Sequence, residues 1–404
     1  MNPPIRTNRS TETMPSLAIV DTTLREGEQF IRAHFSSEQR LLLARQLDAF
    51  GVDLLELPSP CVSAQTAADV RTIAALGLRA RVVAHVRCVT EDVEAALATG
   101  VDGVHLFYGT SPYLRAYSHG RALHSVVSEA AQQVRRVRAH GAYVRFSAED
   151  AFRTDLQDLL PVFDAVVEAG VDRIGLPDTV GIATPRQVEE RIAFFHARYP
   201  GVGIEFHGHN DTGCAVANAL AALEAGADCI DVTVLGIGER NGITSLSGLI
   251  AAIYPRWPAL LERYDLRRLP TIDRLVADLL GIPIPFNNPI TSESAFVHRA
   301  GVHTKAVLQA PATYEVLDPT TFGLTRRIDT TSRLAGHHAL AARAAELGLW
   351  LDEEQARVAT THIKRLADER VLAQAQVDEV IRSIATGIPW GKGLLPTNET
   401  IDEV

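Results

Sequence analysis

The stretch Phe50-Gly51-Val52-Asp53 decides the fold, because the same phrase returns at intervals along the chain. Its other copies are Thr99-Gly100-Val101-Asp102, Ala169-Gly170-Val171-Asp172 and Ala225-Gly226-Ala227-Asp228. In each copy the glycine is typical of a helix end, and the residues after it begin an apolar run. Each copy of the phrase therefore predicts the end of a helix followed by the start of a strand, and the repetition predicts one fold built from such units.

Short apolar or β-branched runs recur about every 30 residues and predict eight strands. These are Leu17–Thr22, Asp53–Leu57, Ala80–His85, Gly103–Phe107, Tyr143–Phe146, Arg173–Leu176, Gly203–Phe206 and Cys229–Val234. Helical periodicity lies between them, as in Ser37–Phe50, Ala64–Leu76, Glu91–Thr99 and Thr184–Arg198. Eight strand–helix units predict an α/β protein with a (β/α)8 TIM barrel over residues 16–275. A doubly wound sheet is the alternative, but it needs fewer strands and a topological switch.

Beyond Pro270 the pattern changes, and a Pro- and Asn-rich connector begins near Gly281. We expect residues 276–330 to form a connector and lid arm that carries His303 and Tyr314. Residues 331–390 predict a small helical C-terminal subdomain, with helices at Ser332–Leu347, Asp352–Lys364 and Val377–Ala385. We expect a disordered N-terminal tail over residues 1–15 and a loosely ordered C-terminal tail over residues 391–404.

Composition narrows the class of protein. Of 404 residues, 46% are apolar and 22% charged, which is typical of a soluble globular enzyme. A formal net charge of −10 argues against a general nucleic-acid or anionic-membrane surface. Residues 1–15 lack the apolar core of a signal peptide, and no apolar run is long enough to span a membrane. The four widely spaced cysteines, at positions 61, 88, 214 and 229, predict reduced thiols and a cytoplasmic location.

The segment Glu205-Phe-His-Gly-His-Asn-Asp211 carries the most distinctive chemistry. Side chains alternate along a strand, so Glu205, His207 and His209 share one face. One carboxylate with two imidazoles is a common set of ligands for a divalent cation. An H-x-H pair also occurs by chance on strands, but a second acidic sequence, Asp21–Gln29, favours the metal interpretation.

Barrel active sites are built from the carboxyl ends of strands, and here those ends are charged. The residues they deliver are Arg25, Glu26, Gln29, Glu56, His85, Arg87, Arg145, Ser147, Glu149, Asp178, Thr179, Glu205, His207 and His209. A barrel end lined by these charged groups suits a substrate with several negative charges, bound together with a metal cation. Structural alternatives exist, namely a salt-bridged rim around Arg25, a core histidine at His85 and an ion pair of Arg145 with Glu149.

A glycine-rich segment, Gly236–Gly242, follows the last strand. Its spacing is G-x-G-x-x-x-G, which does not match a dinucleotide-binding loop. Its backbone N–H groups could still bind an anion.

Three motifs in order make the chain recognisable: Asp21–Gln29, His207–Gly213 and Gly236–Gly242. Together they resemble the metal-dependent Claisen-condensing barrel family, which includes isopropylmalate, citramalate and homocitrate synthases and related lyases. Within that family the chain looks most like the homocitrate synthases. The stretches that carry this likeness are Glu26–Phe30, Gly109–Gly120, Val144–Asp150 and Ala295–His303. The resemblance extends from about residue 16 to 385.

The resemblance implies roles for individual residues. A divalent cation (Mg, Mn or Zn) would be held by Glu26, His207 and His209. The 2-oxo acid would be bound by Arg25, Gln29, Glu56, His85, Arg145, Ser147 and Thr179. Acetyl-CoA would be bound by Gly236, Gly238, Glu239, Arg240 and Asn241. The catalytic residues would be Arg25, which stabilises the alkoxide, and His303 with Glu149 and Tyr314. A homodimer would bring the C-terminal arm of one subunit over the other barrel.

The implied function is an acyltransferase that condenses acetyl-CoA with 2-oxoglutarate to homocitrate and CoA, in lysine or 2-aminoadipate biosynthesis. Two departures from the relatives leave the acceptor open. His105 stands where they usually carry an aspartate that helps to bind the inhibitor lysine, so we expect weak inhibition by lysine. Pro177 replaces a small residue before Thr179. Oxaloacetate, 3-phosphonopyruvate and 2-oxoisovalerate are the alternative acceptors, and the charges of Arg145, Arg87 and His105 suit the first two.

Two other classes of function compete. A lyase that cleaves a 3-hydroxyacyl-CoA would, by resemblance, carry a cysteine-bearing glycine loop near its C-terminus, and this sequence has none. A metabolite-sensing barrel would have no need of a base, so Glu149, His303 and Tyr314 argue against it.

Overall fold

The computed structural model describes residues 14–388. Eight parallel strands close into a barrel in the order β1 to β8, with β1 pairing to β8. They are β1 Ala18–Asp21, β2 Leu54–Leu57, β3 Arg81–Arg87, β4 Gly103–Gly109, β5 Tyr143–Glu149, β6 Arg173–Asp178, β7 Gly203–Gly208 and β8 Cys229–Val232. The predicted barrel is confirmed, and the doubly wound alternative is excluded. The five strands from β3 to β7 run beyond their predicted ends, towards the mouth.

Helices alternate with the strands. They are α1 Ser37–Phe50, α2 Ala64–Ala74, α3 Thr90–Leu97, α4 Pro112–Tyr117, α5 Leu123–His140, α6 Leu156–Glu168, α7 Pro185–Arg198, α8 Ala215–Glu224, α9 Leu246–Ile253 and α10 Leu269–Leu280. Capping boxes start α1 at Ser36 and α7 at Thr184, where each side chain accepts a backbone N–H three residues on. No helix among residues 14–388 is long and apolar enough to cross a membrane.

In the repeated Gly-x-Asp phrase the glycine and the aspartate each have a structural role. Gly51 ends α1 with φ 104°, a left-handed conformation that favours glycine. The aspartate then accepts a backbone N–H from the preceding strand. The four bonds are Ile19 N–H to Asp53 (2.8 Å), Val82 N–H to Asp102 (2.8 Å), Val144 N–H to Asp172 (2.8 Å) and Ile204 N–H to Asp228 (2.9 Å). These bonds satisfy N–H groups where alternate strands begin.

The barrel interior changes from apolar to charged along the strands. A buried cluster of Val20, Leu54, Val83 and Cys229 fills its lower part, with Tyr143 packed against it. Two residues further along their strands, the inward positions after Leu54, Tyr143 and Cys229 are occupied by Glu56, Arg145 and Asp231. Because strand side chains alternate with period two, these charged groups face the same interior. The site described below grows from this charged layer.

Residues 293–388 form a second compact unit, separate from the barrel unit. It contains α11 Gly301–Gln309, α12 His337–Glu346, α13 Glu353–Glu369 and α14 Gln374–Thr386, with a small sheet of β9 Val297–His298 and β10 Arg327–Ile328. The last three helices bury a core that includes Leu340, Ile363, Val377 and Ile381.

The sequence-based domain boundary lay at 275/276, whereas the compact units divide at 292/293. Residues 276–292 are held to the barrel by buried Asp273 of α10, which accepts from the Asn288 amide at 3.1 Å and the Thr291 hydroxyl at 2.5 Å. The predicted tail 391–404 and most of the predicted tail 1–15 lie outside the described residues.

Candidate active site

Glu26, His207 and His209 come together at the barrel mouth. Each offers a ligand atom within 4.8 Å of those of the other two, and all three side chains are buried. Glu26 follows β1, His207 lies in β7 and His209 comes directly after it. The closed barrel makes first and seventh strands near neighbours, because only β8 lies between them.

The chemistry of this set fits a divalent ion. Nε2 of His209 lies 3.9 Å from Oε1 of Glu26, which is too long for a hydrogen bond. Two ligands of one ion, each about 2.1 Å from it, can be separated by such a distance. Nδ1 of His207 is 2.9 Å from Oδ2 of Asp231, so that carboxylate orients the ring and leaves Nε2 available. Nδ1 of His209 is buried with no hydrogen-bond partner among the described residues.

Glu26 is held as a carboxylate. Burial opposes its ionisation, but the positive charge of Arg25 and the neighbouring His207 and His209 keep its pKa below the usual range. Oε2 accepts from Arg25 at 2.5 Å, and Oε1 accepts the backbone N–H of Glu239 at 3.0 Å. An anionic oxygen ligand is therefore ready for a cation.

Arg25 connects this cluster to the charged layer deeper in the barrel. Its Nε donates to Oε1 of Glu56 at 2.6 Å, and the Thr22 hydroxyl donates to the same oxygen at 2.8 Å. Oε2 of Glu56 faces Arg145 and, at 2.5 Å, Nδ1 of His105. Glu56 thus contacts four neighbours, and both of its oxygens are already occupied.

Arg145 lies at the centre of that layer and is 1% exposed. Its terminal nitrogens donate to Glu205 and Glu56, and Asp231 lies 3.5 Å away. The structural alternative of an ion pair with Glu149 is wrong, because these three carboxylates surround the guanidinium instead. Its Nε and Oε1 of Glu205 have no partner among the described residues.

The cluster of Glu26, His207 and His209, called the metal cluster below because its ligand types suit a cation, does not include Glu205. The alternation pattern had placed Glu205 on the same face as the two histidines. It lies deeper, against Arg145. Burial raises the pKa of its carboxyl well above the usual value, despite the opposing charge of Arg145. The acidic residue that lies with His207 and His209 is Glu26, and its role as a ligand, which the resemblance implied, stays a prediction.

His105 and Ser147 form a buried chain with Glu56. Nε2 of His105 lies 2.7 Å from Oγ of Ser147. Gly175 of β6 makes room for that hydroxyl, because a Cβ at position 175 would overlap Oγ and lie 3.1 Å from Cβ of Ser147. The ring of His85 meets that of His105 edge-on at 4.6 Å and stacks on Phe107 at 4.3 Å. Burial, with the nearby charge of Arg25, holds the pKa of His85 well below its usual value, so this ring is neutral.

The glycine-rich segment Gly236–Gly242 folds over the metal cluster. A Cβ at Gly238 would lie 3.0 Å from Oε1 of Glu26. Arg240, at φ 57°, donates to both oxygens of Asp211 at 2.8 and 2.9 Å and to the carbonyl oxygen of Thr179 at 2.7 Å. Glu239 and Asn241, which precede and follow Arg240, are exposed. The segment is therefore fixed between the ends of β6 and β7 and offers an exposed tip.

Other predicted site residues lie around this centre. Thr179 accepts the backbone N–H of Asp150 at 2.9 Å, and Gln29 is exposed on a short turn after Glu26. Burial raises the pKa of Glu149. Arg87 does not contribute to this centre, because its side chain is 65% exposed and paired with Asp92 at 2.7 Å.

His303 and Tyr314 belong to the second unit. His303 lies in α11 and is exposed, and its ring centroid is 4.2 Å from that of Tyr314. The pairing of this histidine with Glu149 stays a prediction.

Comparison with known proteins identifies both parts of the chain. Residues 16–276 match the HMGL-like family, and residues 290–371 match the domain described as homocitrate synthase post-HMGL domain-like. The chain belongs to the HMGL-like family. The resemblance inferred from the three motifs is confirmed.

Relatives of this HMGL-like protein include homocitrate synthases. The mitochondrial homocitrate synthase of Yarrowia lipolytica is 48% identical over 365 residues, which are 90% of this chain and 82% of the relative. The cytosolic isozyme of Saccharomyces cerevisiae is 48% identical over 366 residues, 90% of this chain and 85% of the relative. The crystal structure of hydroxymethylglutaryl-CoA lyase from Pseudomonas aeruginosa superposes with a TM-score of 0.59 at 20% identity, covering 73% of this chain and 97% of that one. This last likeness shows the fold alone.

Sequence reasoning missed two residues of the HMGL-like site. Asp231 orients His207, and Gly175 admits Ser147. Asp231 could have been found, because it lies two residues beyond Cys229 and so faces the interior beside β7. The need for glycine at position 175 depends on the neighbouring strand and has no local signal.

Proposed function

We propose that this chain is an acyltransferase that condenses acetyl-CoA with 2-oxoglutarate and releases homocitrate and CoA. The observation that carries the proposal is the cluster of Glu26, His207 and His209, joined by Arg25 to the buried charged layer of Glu56, Arg145 and His105. A candidate cation site next to buried cationic and hydrogen-bonding groups suits an acid with two anionic ends. The 48% identity to homocitrate synthases over 90% of the chain supports the same acceptor.

The proposed ligands of a divalent cation, Mg, Mn or Zn, are Glu26, His207 and His209. A divalent ion there would act as a Lewis acid on the ketone of the 2-oxo acid. Arg25, whose guanidinium already contacts Glu26, would donate to the oxygen that gains negative charge. His85, Arg145, Ser147 and Thr179 would bind the carboxylates, and Gln29 is also proposed to bind the substrate. Glu56, itself an anion, would serve the substrate site by holding Arg25, Arg145 and His105 in place.

Glu149, His303 and Tyr314 carry the proposed proton transfer. The base takes a proton from the methyl group of acetyl-CoA, a carbon–carbon bond forms to the ketone carbon, and the ketone oxygen gains a proton. Water then cleaves the thioester and CoA leaves. Burial raises the pKa of Glu149, so this carboxyl holds a proton more readily than an ordinary glutamate, as a group that exchanges a proton requires.

Acetyl-CoA is proposed to bind at Gly236, Gly238, Glu239, Arg240 and Asn241, where the exposed tip borders the metal cluster. We place His303 on the partner subunit's arm in a homodimer, so that each barrel is completed by the other chain. Four free cysteines agree with the proposed cytoplasmic location.

The test is CoA release from acetyl-CoA against a panel of 2-oxo acids with added divalent ion. We expect the highest kcat/KM with 2-oxoglutarate. A higher value with oxaloacetate, 3-phosphonopyruvate or 2-oxoisovalerate would replace the acceptor and keep the chemistry. No CoA release with any acceptor would contradict the proposed function.

A further inference from the structure

We propose that His105 is a positioning residue whose protonation decides whether Ser147 can donate a hydrogen bond to the distal anionic group of the acceptor. The proposal rests on the proposed function, since it concerns the 2-oxo acid pocket. The buried chain Glu56–His105–Ser147, with separations of 2.5 and 2.7 Å, is the observation behind it.

The tautomer of His105 follows from its partners. Burial opposes ionisation of Glu56, but Arg25, Arg145 and His105 hold the pKa of its carboxyl well below the usual range. Nδ1 of His105 lies 2.5 Å from Oε2 of Glu56, which only accepts, and 2.7 Å from an Arg145 nitrogen, which only donates. Because that Arg145 nitrogen already donates to Glu56, and a bare Nδ1 would turn its lone pair towards the carboxylate, we place the proton of His105 on Nδ1. Nε2 is then an acceptor, and the hydroxyl of Ser147 must donate to it.

This arrangement uses the only hydroxyl proton of Ser147 inside the protein. Once Nε2 also gains a proton from solvent, it donates to Oγ of Ser147. The hydroxyl proton is then free to turn towards an anion. A bound anion at Ser147 therefore favours the doubly protonated ring, and acceptor binding is coupled to the uptake of one proton.

The groups around His105 determine its protonation state when no ligand is bound. The titratable and charged groups around it are Glu56 on β2, His85 on β3, Arg145 on β5 and Asp231 on β8. Arg25, after β1, contacts the other oxygen of Glu56. Burial, followed by the charge of Arg145, lowers the pKa of His105 to about 4, so the ring is neutral at pH 7 without a ligand. An arriving anion partly offsets Arg145 and raises that pKa.

Gly175 of β6 offers a second way to disturb the hydrogen bonds between Glu56, His105 and Ser147. Because a Cβ at position 175 would overlap Oγ of Ser147, Gly175→Ala displaces the hydroxyl without removing any titratable group. We expect this variant to raise KM for the acceptor, with a smaller change in kcat.

The experiment is calorimetry of the protein loaded with a divalent ion and titrated with 2-oxoglutarate near pH 6.5, in two buffers of different ionisation enthalpy. We expect the wild type to take up between about 0.5 and 1 proton per site. His105→Gln, which cannot take up the proton, should show no uptake and a KM about tenfold higher that no longer rises with pH. His105→Asn keeps a donor to Glu56 and serves the same purpose if H105Q does not fold.

His124→Gln is the matched control, because His124 is exposed on α5. It should leave proton uptake, KM and kcat unchanged. Binding without proton uptake by the wild type, or equal uptake by H105Q, overturns the proposal while CoA release still supports the proposed function. If another 2-oxo acid proves to be the acceptor, the same titration is made with it. If no 2-oxo acid binds, the pocket assignment fails together with the proposed function.

Discussion

Asp231 fixes the ring of His207 through a hydrogen bond of 2.9 Å, although it does not belong to the metal cluster. We predict that Asp231→Asn lowers the affinity for a divalent ion by about 10–100-fold, because the amide no longer holds the ring with Nε2 available. Equilibrium dialysis with Mn²⁺ or Zn²⁺ measures this affinity.

The matched control is Asp273→Asn. Asp273 is equally buried but bonds to Ser247, Asn288 and Thr291. It should reduce stability without changing the affinity for the ion. Unchanged ion affinity in Asp231→Asn would contradict the orienting role.

For single residues, sequence patterns predicted which face of a strand a side chain occupies better than they predicted its position along the barrel axis. The alternation in β7 correctly put Glu205 and both histidines on the interior, but Glu205 lies one layer lower and contacts Arg145. The distance along the barrel axis depends on the register between strands, which no local pattern contains. The barrel argument put Glu26 at the mouth, but only the resemblance grouped it with the two histidines, because its exact position depends on the irregular turn that follows β1.

Each Gly-x-Asp phrase starts a strand with an aspartate that satisfies a backbone N–H of the strand before it. Asp102 is a clean example, because it accepts from Val82 N–H at 2.8 Å. We predict that Asp102→Ala lowers the free energy of unfolding by about 0.5–1.5 kcal/mol, since one net hydrogen bond is lost. Urea denaturation followed by circular dichroism measures this. Asp278→Ala on the exposed side of α10 is the control and should change stability little.

In the second unit, Glu315 joins two segments. Its carboxylate accepts from His298 of β9 at 2.8 Å and from Arg326, beside β10, at 2.6 Å. Burial favours the neutral form, yet these hydrogen bonds keep the pKa of Glu315 below its usual value. A carboxyl with a lowered folded-state pKa stabilises the protein above its unfolded pKa, and this contribution is lost as the pH falls through the folded value.

Glu315→Gln should therefore lower the free energy of unfolding by about 1–3 kcal/mol at pH 7, and the difference should shrink at about pH 3. Chemical denaturation at both pH values measures it. Glu354→Gln, an exposed position on α13, is the matched control and should have little effect at either pH. A deficit for Glu315→Gln that stays the same at both pH values would contradict the ionic origin.

At the scale of elements, the strands and most helices could be predicted, because apolar periodicity and glycine stops are local signals. α1 has its predicted bounds, Ser37–Phe50. The predicted helix Ser332–Leu347 begins only at His337, since residues 332–336 turn and bring Gly336 against Gly301. That close approach of two glycines is a tertiary contact, so the sequence alone did not indicate it.

The molecule contains two compact units, and the proposed proton transfer needs residues from both. If each barrel is completed by the partner subunit's arm, subunits with different defects should complement each other. We predict that Glu149→Ala and His303→Ala are each inactive, and that subunits mixed and exchanged regain about a quarter of wild-type kcat, because half of the dimers have one complete site.

CoA release after reversible dissociation measures this recovery. Mixing two preparations of Glu149→Ala is the control and should restore nothing. The absence of any recovery, with mixed dimers verified by mass, would contradict the exchanged arm.

At this scale the sequence predicted the barrel and a helical C-terminal part, and the compact units divide at 292/293, beyond the predicted end of the barrel at residue 275. Proline and asparagine after Gly281 predict a connector, and in the structure buried Asp273 binds this segment to the barrel. A side chain that is buried far away in sequence can retain a loop that composition alone would classify as a connector.

The proposed chemistry depends on one shared divalent ion at Glu26, His207 and His209. The most direct measurement is the rate of CoA release from acetyl-CoA and 2-oxoglutarate by chelator-stripped protein, followed as a divalent ion is returned. We predict negligible turnover without the ion and recovery that reaches its limit at about one ion per chain. Undiminished turnover by protein verified as free of metal would contradict the account.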